Sequence, residues 1–358
     1  MKYLNYFKNK KILITGHTGF KGSWSILVLK FLGAKLYGIS NGYVSNPSMF
    51  KKLNLHKQLQ KNFIFDISNY SKLKKTINVI EPDIILHMAA QALVFKSYTL
   101  PFQTMKTNTF GTINLLEIIR NIKFKCTILI ITSDKVYKNV EKKSPYFEND
   151  EIYGIDPYSA SKSMAEIAIN SYIKSYLIRK KNINIGIARA GNVIGGGDWA
   201  ENRIVPDCIK SWTKLKPAKI RNPESTRPWQ HVLEPIFGYI LFIYYLSKNR
   251  KFNGEILNFG PDSKNNYSVI KLINNIGKIW PYKKVRINKM KIKLYESKLL
   301  NISSLKAKKL IGWRPILNFT ETANFISDWY YNFYFNKKIN IYDFSLNQID
   351  QYLKKWNR

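Results

Sequence analysis

The chain has 358 residues, 45% of them hydrophobic and 14% aromatic, which excludes a disordered polymer and allows a large buried core. Its formal charge of +35 rests on 48 lysines and only ten arginines. The lysines are scattered among Asn, Ile and Tyr along the whole length, so the charge favours anionic small molecules over a nucleic-acid groove.

The first predicted element is an apolar strand at 11–15, running through Gly16-His17-Thr18-Gly19-Phe20-Lys21-Gly22 into a helix over 22–32. Glycines at this junction let the backbone turn tightly and approach a pyrophosphate, which the helix N-terminus then stabilises. The spacing is G-x-x-G-x-x-G, and it assigns Gly16, Thr18, Gly19, Phe20 and Lys21 to a dinucleotide cofactor; His17 is read as positional. A second strand, 35–39, ends at Ser40-Asn41-Gly42. No acid stands there for a ribose hydroxyl and no arginine for a 2′-phosphate, although Lys35 is close; NAD is the expected cofactor. A third strand, 62–66, ends at Asp66 with Ile67 behind it and a helix over 68–80. Asp66 either meets the adenine edge or caps that helix.

A fourth strand, 84–88, and a helix over 101–122 precede the apolar run 127–132. That run ends in Thr132-Ser133-Asp134-Lys135, an alcohol, an acid and an ammonium at the end of a buried strand. A helix over 158–174 places Tyr158 and Lys162 on one face. A cation there lowers the phenol's pKa and makes it a usable base. A strand at 184–188 completes an alternating pattern that predicts a Rossmann-type, doubly wound α/β sheet.

Beyond Arg189 the texture changes to a Gly-rich turn, Pro-punctuated segments and a Lys/Asn-rich tail. The expectation is an NAD-binding domain over 1–189 and a smaller α/β substrate-binding domain over 190–358, with 232–260 returning toward the sheet. Cys126 and Cys208 form no disulfide framework, residues 1–11 lack the apolar core of a secretion signal, and the apolar run 236–246 is too short for a bilayer. These features predict a soluble, cytoplasmic protein. His56 and His87 have no partners at ligand spacing, so no metal is expected.

These motifs resemble the extended short-chain dehydrogenase/reductase family. The residues that carry the resemblance are Gly16/Gly19/Gly22, Leu86-His87-Met88-Ala89-Ala90-Gln91, Asn108-x-x-Gly111-Thr112, Tyr158-x-x-x-Lys162 and Arg189-x-x-Asn192. Longer stretches at 16–24, 132–137, 190–199 and 221–234 are most similar to its CDP-glucose 4,6-dehydratase branch. The resemblance implies NAD as cofactor, with Ala89 among its contacts, and an internal redox cycle on CDP-glucose. Tyr158 would take the sugar 4-hydroxyl proton as hydride leaves C4. Lys162 would hold Tyr158 ionised and bond the nicotinamide ribose, and Ser133 would bond the forming 4-keto oxygen. Asp134 would protonate the departing 6-hydroxyl. Lys135 would be the C5 base, where the dTDP-glucose branch carries Glu. The product would be CDP-4-keto-6-deoxyglucose, a precursor for surface-polysaccharide deoxysugars.

A lysine base must be neutral and an aspartic acid protonated, so Asp134 and Lys135 are read as a coupled pair. Arginine grips diphosphate bidentately, which selects Arg203 and Arg227, then Arg221; Asn192 and His231 are further substrate candidates. Each could instead serve a structural ion pair or turn. Asn108 is an expected framework residue beside the nicotinamide. A homodimer through the 101–122 and 158–174 helices is expected by analogy. The alternatives are a nucleotide-sugar 4-epimerase, a dehydratase for another nucleotide sugar, or a noncatalytic NAD- or nucleic-acid-binding protein.

Overall fold

The computed structural model describes residues 2–262, 267–287 and 299–356. Seven parallel strands form its central sheet: β1 (Lys11–Thr15), β2 (Lys35–Ser40), β3 (Leu59–Ile64), β4 (Ile84–His87), β5 (Cys126–Ile131), β6 (Ile183–Ala190) and β7 (Ile256–Phe259). Their order is β7-β6-β5-β4-β1-β2-β3, so the chain winds outward from β1 and then returns to build the other half from β4. The crevice at that reversal, above the strands' C-terminal ends, is where such sheets take ligands. The Rossmann-type doubly wound sheet read from the sequence is present.

β4, β5 and β6 are buried along their whole length; β4 and β5 read as nearly continuous apolar runs, while β6 also carries Asn184 and Arg189. On β1 the side chains alternate: Ile12 and Ile14 join one core, Leu13 the other. The edge strand β3 is Leu-Gln-Lys-Asn-Phe-Ile and mostly exposed, and its register against β2 slips between Leu36 and Tyr37. With no apolar period to mark it, the sequence placed it a few residues late.

Helices α1 (Phe20–Phe31), α2 (Tyr70–Ile80) and α3 (Gly111–Asn121) follow β1, β3 and β4. α3 is entered through a helical turn, Pro101–Met105, and a π turn, Lys106–Phe110. After β5 comes α4 (Pro157–Tyr172), and α5 (Ile204–Trp212) lies beyond β6. The crossover helix α6 (Leu233–Lys248) then carries the chain back to β7, which pairs with β6. α7 (Phe319–Phe335) and α8 (Ile341–Trp356) pack onto the same core as α1 and α6. No helix among the described residues is long and apolar enough to cross a membrane.

Glu234, buried at the start of α6, ties the tail to this core. It accepts the Ile316 and Leu317 amides at 2.9 and 2.7 Å and the Tyr352 hydroxyl at 2.7 Å. Burial pushes its carboxyl up from 4.5 to about 7. The protonated form is therefore favoured by folding, and stability falls as pH rises from about 4.5 through 7. Glu234→Gln keeps the acceptor and is expected to flatten that fall in urea unfolding measured between pH 5 and 8. His87 and His231 act with the opposite sign. Burial pushes both down to about 3, so their share is lost as pH falls below 6.5.

Candidate active site

A cavity of about 1130 Å³ opens above the ends of β1, β5 and β6. Its wall holds most of the residues singled out from the sequence: Phe20 and Lys21, Ser133, Asp134, Lys135 and Tyr158, and Asn192, Arg203, Arg221 and Arg227. The sheet and two helix starts bring them together. β5 releases the chain at Thr132, and Asp134–Val136 makes one 3₁₀ turn capped by Ser133, whose Oγ accepts the Lys135 amide at 3.2 Å. α4 begins with a capping box. Asp156 accepts the Tyr158 and Ser159 amides, both at 3.0 Å, and Ser159 reaches back to the Asp156 amide at 3.1 Å. Pro157 occupies the first turn, so the residues before and after it fix where Tyr158 stands.

Burial pushes the Tyr158 phenol up to about 12; a Ser133 hydrogen bond pulls it down, Asp134 raises it and Arg203 lowers it. Lys162, expected to hold Tyr158 ionised, lies one turn further along α4. Lys162 is buried and donates to the Ile131 carbonyl at 3.4 Å. Burial, then the charge of Lys21, brings it down to about 7 against the pull of Glu166.

Asp134 is 4% exposed, and among the described residues it has no ion pair. Ser133 Oγ donates to its Oδ1 at 3.0 Å, and Asn192 Nδ2 stands 3.5 Å from its Oδ2. The carboxylate lies directly on Gly191: a Cβ there would sit 1.8 Å from Oδ2. Sequence reading passed over this glycine, though its place directly after a wholly buried strand was a usable signal. Gly191→Ala must shift the carboxylate, and a displacement of about 1 Å costs on the order of 100-fold in rate. We expect that loss in kcat with the circular dichroism spectrum and melting temperature little changed.

Lys21, expected among phosphate contacts, faces the cavity from the first turn of α1. Burial, then Arg203, brings it down to about 8, while Asp134 raises it. Its Nζ lies 5.9 Å from the Tyr239 ring centroid and makes no hydrogen bond or ion pair among the described residues. Arg203 is paired with Asp198 at 2.8 Å. Arg221 stacks 4.7 Å from the Phe95 ring, and Arg227 donates to the Thr226 carbonyl at 2.8 Å. The cavity thus holds more positive than negative charge, as an anionic ligand requires.

Other expected residues stand off the cavity wall. Gly16 adopts a φ of +76° and packs so closely that a Cβ would lie 2.8 Å from Ala89. Thr18 bonds Ser40 Oγ at 2.6 Å and also the Gly42 carbonyl. Gly19 begins α1, which no side chain caps. Asp66 accepts from the Ser68 amide at 2.8 Å, Asn41 at 3.0 Å and Thr107 at 3.2 Å; Asn69, not Asp66, caps α2. Ile67 lies against Gly111. Asn108 clamps the segment after β4, accepting the Gln91 amide at 2.7 Å and donating to its carbonyl at 3.1 Å. His231, expected near the substrate, is a core residue, enclosed by the Trp24 and Phe325 rings at 6.0 and 5.4 Å.

Residues 13–325 match the family model described as GDP-mannose 4,6 dehydratase. The chain belongs to that family. It is 38% identical over 331 residues to the CDP-glucose 4,6-dehydratase of Salmonella typhimurium, covering 91% of this chain and 92% of that one. Among solved structures it is similar to the dTDP-glucose 4,6-dehydratase of Bacillus anthracis in complex with NAD, with a TM-score of 0.74 and 20% identity over 92% of this chain and 98% of the other. It is also similar to the UDP-glucuronic acid 4-epimerase of Bacillus cereus in complex with UDP-glucuronic acid and NAD, with a TM-score of 0.76 and 24% identity over 90% and 99%. The family resemblance carried by the motifs is therefore correct.

Behind the family's Tyr/Lys pair lies a buried polar network. Arg189, on β6, forks onto the Glu166 carboxylate of α4. It also donates to the Tyr137 hydroxyl at 2.7 Å and the Glu148 carbonyl at 3.0 Å. Glu166 in turn accepts from Thr132 Oγ1 at 2.9 Å, and Tyr137 donates to Asn258 of β7 at 2.8 Å. β5, β6, β7 and α4 are thus cross-tied below the catalytic candidates.

Proposed function

We propose that this enzyme removes water from a nucleotide sugar, with CDP-glucose as substrate and NAD as cofactor, giving the 4-keto-6-deoxy sugar. The observation that carries this reading is the buried carboxyl of Asp134, one residue from Ser133 on the wall that also holds Tyr158 and Lys135. A 4-epimerase needs the phenol but no second acid–base pair. The 38% identity to a CDP-glucose 4,6-dehydratase supports the same choice.

The residues fit a dinucleotide. The Gly16 turn brings backbone against Ala89, and the uncapped start of α1 has no acid in its first turn, leaving amides for a pyrophosphate. Lys162 spends one donor on a long bond to Ile131 and has two left for a ribose. NAD would supply a hydride acceptor for C4 and a hydride donor for C6, so none would be consumed. Tyr158 takes the 4-hydroxyl proton, and Ser133 and Arg203 favour its phenolate. Asp134 delivers a proton to the departing 6-hydroxyl, and Lys135 removes and restores the C5 proton. Arg203, Arg221 and Arg227 supply positive charge for the diphosphate.

Incubation with CDP-glucose and NAD, followed by mass spectrometry, is expected to show loss of one water with no net reduced cofactor. Unchanged mass with an inverted C4 would identify an epimerase, and turnover of dTDP- or GDP-glucose alone would reassign the base. We also propose a homodimer through the face carrying Phe102 (78% exposed) and Ile167 (57% exposed), on the turn leading to α3 and on α4. Ile167→Asp is expected to yield a monomer in light scattering while the wild type reads as a dimer.

A further inference from the structure

The proposed reaction poses a proton problem that the cavity's geometry answers. Oxidation at C4 puts a proton on Tyr158, and elimination across C5–C6 takes one from Asp134. If both came from and went to solvent, the two groups would have to be reset in opposite directions at every turnover. Tyr158, Ser133 and Asp134 are 8%, 6% and 4% exposed, and substrate in the cavity closes what access remains.

Ser133 stands between them. Its Oγ donates to Asp134 Oδ1 at 3.0 Å, and the same hydroxyl hydrogen-bonds the Tyr158 side chain. The Lys135 amide, 3.2 Å away, occupies one Oγ lone pair and holds the group in place. Gly191 below Asp134 and Asn192 beside it keep the receiving carboxylate against Ser133. One hydroxyl proton thus faces two acceptors, the arrangement through which a proton is handed on.

Resting on the dehydratase reading, we infer that the sugar 4-hydroxyl supplies, by relay, the proton that departs in water: within a single turnover Tyr158 passes its proton to Ser133, and Ser133 passes its own to Asp134. The balance is as follows. Hydride leaves C4 for the nicotinamide, the O4 proton goes to the Tyr158 phenolate, and C4 becomes a ketone. Tyr158 passes that proton to Ser133 Oγ, which releases its own to Asp134 Oδ1. Tyr158 is a phenolate again and Asp134 a neutral acid. The base then takes the C5 proton, the C6–O bond breaks with its electron pair, and Asp134 protonates that oxygen to give water. Hydride returns to C6 and the base's proton to C5. Both residues end with the charge they began with, and the sugar has lost one H₂O. Asp134 thus receives within the turnover the proton that it gives to the departing oxygen.

The test is single turnover of the NAD-loaded enzyme, following nicotinamide absorbance and quenching for mass spectrometry, with wild type, Ser133→Ala and Ser133→Thr. In Ser133→Ala, reduced cofactor and a nucleotide 4-ketosugar two hydrogens lighter than substrate should accumulate. Water loss should slow at least tenfold more than C4 oxidation does. Ser133→Thr keeps a hydroxyl and should restore the coupling. Infrared difference spectra should show a protonated carboxyl during the wild-type turnover that is missing in Asp134→Asn and in Ser133→Ala. Equal slowing of both phases in Ser133→Ala, with the carboxyl band retained, would overturn the relay and leave Ser133 a purely orienting role. A wild type that turns over without losing water would instead remove the dehydratase reading.

Discussion

Tyr158→Phe is expected to lower kcat by roughly 10²–10⁴-fold, the usual share of a positioned proton-transfer group. The reason lies in what the substitution leaves alone. The capping box of Asp156 and Ser159 sets the first turn of α4 through backbone amides, so the ring stays where it is. Only the hydroxyl is removed, and with it the acceptor for the O4 proton. Because oxidation at C4 comes first, no reduced cofactor should appear even transiently. Asp134→Asn should behave differently: its first step survives and the second fails, so reduced cofactor builds up. Substrate KM should change little in either, since the diphosphate is met by other side chains. Rapid-scan absorbance on both variants measures this contrast directly. A Tyr158→Phe enzyme with near wild-type kcat would remove Tyr158 as the base.

Arg189→Ala carries the largest expected loss of stability. Its guanidinium and the Glu166 carboxylate are 2% and 0% exposed, and deleting one leaves the other buried and unpaired. Breaking such a pair typically costs about 3–5 kcal/mol. For a chain of this size, with about 2.1 cal/mol/K of unfolding entropy per residue, that is roughly a 4–7 °C fall in melting temperature. The Tyr137 hydroxyl and the Glu148 carbonyl would lose a donor as well. Replacing both charges with apolar groups, Glu166→Leu with Arg189→Met, should recover much of the loss, because no buried charge is then stranded. Glu166 also has a chemical effect: its charge holds Lys162 up. Glu166→Gln should therefore leave Lys162 more fully neutral and reduce activity beyond what its stability loss explains. Thermal melts and kcat on the same preparations separate the two effects.

What the sequence made legible was what is local in the chain. The glycine loop after β1, the Ser133-Asp134-Lys135 turn after β5 and the Tyr158/Lys162 spacing each sit within a few residues, where strand ends and helix periodicity dictate geometry. Long-range partners were hidden. Nothing in the sequence says that Gly191 lies under Asp134, that Arg189 meets Glu166 across a sheet–helix interface, or that Asp198 holds Arg203. His231 illustrates the cost of reading a motif without its neighbours. It sits in a stretch rich in candidate substrate contacts, yet its side chain points into an aromatic core.

β6 is flanked on both sides only because β7 arrives much later in the chain. During synthesis, every residue through Ala190 leaves the ribosome before its partner strand exists. For that interval a strand whose every residue is buried in the fold has one bare edge, a template for pairing with other chains. The nascent polypeptide should therefore depend on chaperones until Phe259 has emerged. A truncation ending at Arg189 should collect in inclusion bodies, whereas one that retains α6 and β7 closes the edge.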